Sequence, residues 1–207
     1  MILPKIVSGL GALILLGSLT ACSVGADPIN DSDANQDAGS STGLGADANA
    51  MLTDYGIAPP ASVEELIGQL QSQPLVERPD GLLASVRVGE LLLTSKEREV
   101  SLPLPENRFH LSVAPYLNET HECVNHSLTT CAGELASAQM QVTITDATSG
   151  EVLIDRDVTT FENGFFDVWL PTDREITLRI NDGERGAEVP LATGADDPTC
   201  VTTVRLS

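Results

Sequence analysis

Apolar positions recur at helical spacing in the early part of this chain. Val63, Leu66, Ile67 and Leu70 repeat at intervals of three and four, one stripe of a helix. Ser62 stands before them with Glu65 three residues on, the pattern of a capping box, and Pro74 ends the run. Leu52, Tyr55 and Ile57 lead into Pro59-Pro60, so residues 50–74 read as helical. Leu82 to Val88 and Glu90 to Thr94 then flank Gly89 and predict a hairpin. Pro103 and Pro105 mark a boundary.

From Phe109 the period changes to two. Phe109 to Val113 and Met140 to Ile144 alternate apolar and polar residues, which places His110 on a solvent face. Turn signals recur at Ser149-Gly150, Asn163-Gly164, Asp182-Gly183 and Gly194 to Pro198. Between them lie candidate strands at Glu151–Val158, Phe165–Leu170, Glu175–Ile180, Gly186–Leu191 and Cys200–Leu206. Trp169, the one tryptophan, falls in a strand and is expected in the core. The fold class is α+β: a small helical and hairpin N-terminal domain at 50–105, then an antiparallel β-sandwich or small barrel at 106–207.

The N-terminus reads differently. Lys5 precedes an apolar run from Ile6 to Leu19, too short for an ordinary spanning helix, which closes on Leu19-Thr20-Ala21-Cys22. That is a signal peptide over 1–21 ending in a lipobox, with Cys22 as the lipidation site. Residues 22–49 are Gly, Ala, Ser, Asp and Asn with little to bury, and read as a flexible tether. The implied place is the cell envelope, with the chain on the extracytoplasmic side of a bacterial membrane, held by its lipid alone. Once both segments are set aside, about 155 of the 207 residues remain, enough for one domain or two small ones. A formal net charge of -19 excludes a phosphate-tracking nucleic-acid surface.

Cysteine arithmetic then points to chemistry. Lipidation of Cys22 leaves Cys123, Cys131 and Cys200, an odd number in an oxidising compartment. Cys123 and Cys131 share the segment 121–131 with His121 and His126, two of the three histidines. A disulfide between Cys123 and Cys131 would staple that loop and leave the histidines as bystanders. Alternatively, thiolate and imidazole are ligands for copper and zinc, and monovalent copper accepts two or three soft donors. Cys200 follows the turn Asp196-Asp197-Pro198-Thr199, which could aim it at the same end of the sandwich. The two readings are compatible, because a dithiol that opens and closes is a redox couple.

These residues resemble the CueP family of bacterial periplasmic copper-binding proteins. The resemblance lies in Thr120-His121-Glu122-Cys123, His126 to Cys131 and Gly133-Glu134, and extends to Phe109–Tyr116, Phe161–Leu170 and Asp196–Thr203; residues 50–105 are similar more loosely. It implies copper as the bound metal and copper tolerance as the role, with supply to a copper/zinc superoxide dismutase as a further function. It implies Cys123, Cys131 and Cys200 as the thiol set, His126 and His121 as nearby ligands, and a homodimer through the N-terminal part. Familiar members are soluble, so the lipobox is a departure.

Three functions compete: a lipoprotein that buffers or delivers copper, a thiol-based redox protein that reduces divalent copper, and a structural lipoprotein with one disulfide. No CxxC, HExxH, nucleophile elbow or phosphate loop is present, and no catalytic residue is assigned. Every candidate ligand lies after Glu106, so a fragment starting there is expected to fold alone and keep copper binding.

Overall fold

The computed structural model describes residues 43–207. Cys22, the signal segment and most of the tether lie outside the described residues. Helix α1 spans Ala46–Asp54 and α2 spans Val63–Gln71, followed by a 3-10 turn at Leu75–Glu77. The first helix starts earlier than the composition predicts, because Leu44, Ala48, Met51 and Leu52 all enter a core. The Ser62 cap at α2 forms, the Glu65 N–H donating to Ser62 Oγ (3.2 Å), while the Glu65 carboxylate reaches one residue past the cap and accepts from the Ala61 N–H (3.0 Å).

The hairpin also forms, from β1 (Leu83–Arg87) and β2 (Glu90–Thr94), with Gly89 at φ 78° in the turn. A further strand, β3 (Glu99–Pro103), pairs with β2 where only a boundary was expected. Proline suits this place, since Pro103 ends an edge strand where a missing N–H is tolerated. On the other side of β1 lies a two-residue strand, β5 (His126–Ser127), from the cysteine-bearing loop. This sheet therefore has the order β3-β2-β1-β5 and joins the early and late parts of the sequence.

The remaining strands are β4 (Arg108–Val113), β6 (Gln139–Asp146), β7 (Val152–Thr159), β8 (Phe166–Pro171), β9 (Glu175–Asn181), β10 (Gly186–Ala192) and β11 (Cys200–Val201). They make two sheets, β10-β9-β6-β7 and β11-β4-β8. Pairing is antiparallel except that β11 runs parallel to β4. The last strand is much shorter than Cys200–Leu206, with only a bridge from Tyr116 to Arg205 beyond it. Phe109, Leu111 and Val113 meet Val142, Ile144, Val168, Leu178 and Ile180 in one apolar layer between the two sheets. A second core gathers Met51, Leu52, Leu66, Leu70, Val86, Leu91, Leu93 and Leu128, with Trp169 packed on it.

One expectation is overturned here: His110 is not on a solvent face but is buried. The alternation in β4 is real, and His110 does point away from Phe109 and Leu111. That second face, however, is covered. His110 lies edge-on to Trp169, centroids 4.7 Å apart, and its Nε2 is 3.5 Å from Asp167 Oδ2. Asp167 is in turn bonded to Gln71 of α2. A period of two reports which residues share a face, not what covers that face.

Candidate metal centre

Three chain segments bring the soft donors together. The turn after β5 supplies Cys131: its N–H donates to Ser127 O (3.0 Å), and the Ser127 N–H points back at Cys131 Sγ (3.4 Å). Strand β11 supplies Cys200, whose N–H donates to Val124 O (3.2 Å) and so draws the 123–126 segment alongside it. Thr199 completes this seam, accepting from the His126 N–H (3.2 Å) and donating to Val86 O (2.6 Å). The loop bearing His121 is held from two sides. Thr120 Oγ1 donates to Thr202 O and Thr202 Oγ1 to His121 O. The Glu134 carboxylate accepts from the N–H groups of Leu117, Asn118 and Glu119, and these bonds, Asn118's first, hold its pKa down to about 2.

Cys123 and Cys200 form a disulfide, Cα–Cα 5.5 Å, and Cys131 is the free thiol among the described residues. This corrects the expected Cys123–Cys131 pair. The spacing of eight residues made that pairing look local, but β11 delivers Cys200 to Cys123 across 77 residues. Cys131 Sγ sits 3.7 Å from Cys123 Sγ, close but unbonded.

Two overlapping triads result, His121–Cys123–Cys131 and His126–Cys131–Cys200; within each, the donor atoms lie within 4.8 Å of one another. Cys131 belongs to both. Their surroundings differ: His121 is exposed, whereas His126 and Cys200 are buried. Burial pushes the His126 pKa down to about 4, so its ring is neutral, as a metal ligand requires. Burial also raises the Cys131 thiol, against the opposing pull of the Ser127 N–H and the nearby Arg78 guanidinium.

Some contributors to this region carry no mark of metal chemistry. Arg78 Nη1 donates to Cys131 O (2.8 Å), and Gln71 Oε1 is 2.9 Å from His126 Nε2. One signal for Gln71 exists in the sequence. It continues the stripe of Val63, Ile67 and Leu70 and so is a polar residue on a core face.

An α+β protein whose three sulfurs and two imidazoles fall in two overlapping triads has the donor set of a soft-metal-binding protein. The profile of the family described as "Periplasmic copper-binding protein CueP" matches residues 65–205. The chain belongs to the CueP family, and copper is its metal. The crystal structure of S.CueP is similar over 79% of this chain and 99% of that one, with a TM-score of 0.72 and 34% sequence identity. No curated protein matches.

Proposed function

We propose that this protein is a lipid-anchored envelope protein that buffers or delivers copper as the monovalent ion. The observation that carries the reading is Cys131, a free thiol shared by two triads of soft donors. With the disulfide reduced, Cys123, Cys131 and Cys200 offer three thiols, His126 a neutral imidazole on the buried side and His121 a second on the exposed side. Monovalent copper is satisfied by two or three of these, so an ion can be held on one side and passed across Cys131 to the other. A recipient such as a copper/zinc superoxide dismutase would meet the exposed His121 side first. The lipobox supports anchoring through Cys22, and a homodimer through residues 50–105 remains part of the proposal on the family resemblance. The test is competition for monovalent copper against a chromophoric chelator under argon. Wild type should hold copper far more tightly than a Cys123, Cys131, Cys200 triple Ser variant; equal affinities would refute the reading.

A second reading rests on the 3.7 Å gap between Cys131 and Cys123. Fully reduced protein would reduce divalent copper: Cys123 and Cys200 lose two electrons and two protons as their bond forms, and two divalent ions become monovalent. Cys131 would then keep one product ion or attack the disulfide. Mixing reduced protein with divalent copper should yield the Cys123–Cys200 peptide together with trapped monovalent ion. Binding without loss of thiols would leave a carrier only.

A further inference from the structure

His126 can ligate a metal only through a ring nitrogen that carries a lone pair, and it has two nitrogens in different settings. Nδ1 lies 3.7 Å from Cys200 Sγ, on the sulfur side; Nε2 lies 2.9 Å from Gln71 Oε1, on the opposite side. Which nitrogen holds the proton depends on which end of the Gln71 amide faces it.

The surrounding network answers this from both ends. The Phe165 backbone N–H can only donate, and it donates to Asn163 Oδ1 (3.0 Å). The Asn163 amide is thereby oriented, and its Nδ2 donates to Gln71 Oε1 (3.2 Å). At the other end, Gln71 Nε2 donates to Asp167 Oδ1 (2.9 Å). Burial, the largest single effect, opposes the charge on Asp167, but its neighbours together, His110 foremost, hold the carboxyl below its usual range, so it accepts. Both anchors require the same amide orientation. Gln71 Oε1 therefore faces His126, and Nε2 must carry the hydrogen. Gln71 is fully buried, so no water competes for these bonds.

We propose that Gln71 is a positioning residue for copper, locking His126 as the Nε2–H tautomer so that the Nδ1 lone pair faces Cys131 and Cys200. The inference rests on the copper reading of the His126 triad. It assigns a role at the metal to helix α2, which contributes no ligand. Outer-sphere partners of metal-bound histidine act in this way, by fixing tautomer and ring orientation.

The test has two arms on the full chain. Ring-nitrogen NMR of histidine-labelled, metal-free protein reads the tautomer directly, and chelator competition reads monovalent copper affinity. Wild type should show a pyrrole-like Nε2 and a pyridine-like Nδ1. Gln71→Met removes both the acceptor and the donor; it should admit the Nδ1–H tautomer and lower affinity about 10- to 100-fold. Gln71→Glu keeps an acceptor for His126 and, by sharing one proton with Asp167, the second bond; it should retain the Nε2–H ring and affinity within a few-fold of wild type. It also covers the case in which the Met variant does not fold. A wild-type ring protonated at Nδ1 overturns the proposal. So does a Gln71→Met protein that loses affinity with its tautomer unchanged, since Gln71 would then be merely structural. If wild type shows the Nε2–H ring but holds no copper, the copper reading fails while the ring lock stands.

Discussion

The stretch from Leu44 to Leu104 and the stretch from Arg108 to Leu206 divide the work at the site unequally. The later stretch supplies every candidate ligand. The earlier one has no cysteine or histidine among residues 44–104, yet its α2 supplies Gln71, the chain just after α2 supplies Arg78, and β1 pairs with the His126 strand. Donor atoms and the control of their orientation thus come from different parts of the sequence. A ligand set can be compact in sequence while the groups that aim it are remote.

The comparison breaks first at Cys131, the member common to both triads. Cys131→Ser should reduce monovalent copper affinity more than any substitution in the earlier stretch, beyond the 10- to 100-fold typical of an outer-sphere change. Chelator competition beside Gln71→Met gives the ranking, and a smaller loss for Cys131→Ser would reverse it. Next comes the fragment starting at Glu106. Its two-sheet core loses only Val88 from the earlier stretch, but His126–Ser127 lose β1, Leu128 loses its core, and His126 loses Gln71. It should fold, yet bind copper at least tenfold more weakly than the full chain. Undiminished affinity would make the earlier stretch dispensable to the site.

Leu128 sharpens the contrast because it leaves the cysteine loop to enter the helical core. Leu128→Ala should cost about 2–5 kcal/mol in urea unfolding. A loss below 1 kcal/mol would mean that the loop is only loosely tied to that core.

Acid should act through His126. In the unfolded chain it titrates near 6.5, in the folded chain at about 4. Between these values only the unfolded chain takes the proton, so this contribution to stability is present above pH 6.5 and is lost as pH falls toward 4. The full swing is about 3 kcal/mol. The urea midpoint should fall more steeply over this range in wild type than in His126→Gln, and parallel profiles would argue against a buried neutral ring.

The smallest effect is local to the earlier stretch. Ser62→Ala removes the α2 cap and should cost ~1 kcal/mol with copper affinity almost unchanged. A copper loss approaching that of Gln71→Met would mean that fraying of α2 reaches Gln71.

Much of the fold was legible from pattern. The Ser62 cap, the Gly89 hairpin and the alternating runs at Phe109 and Met140 are short-range signals, each set by backbone geometry and side-chain period within a few residues. β3 was harder to see: Glu99-Val100-Ser101-Leu102 does alternate, but the run is only five residues long and ends on Pro103, which reads as a boundary.

By itself, the sequence determined the class of chemistry: two thiols and two imidazoles within residues 121–131, and a third thiol at Cys200. Tertiary structure alone decided how they are used. Disulfide choice is a question of distance, and β11 lying parallel to β4 brings Cys200, not Cys131, within bonding reach of Cys123. The environment of each histidine depends on which remote element covers it: α2 buries one side of His126, Trp169 and Asp167 enclose His110, and His121 is left in solvent. Local period records the direction of a side chain, whereas burial, pairing and tautomer depend on contacts between residues tens of positions apart.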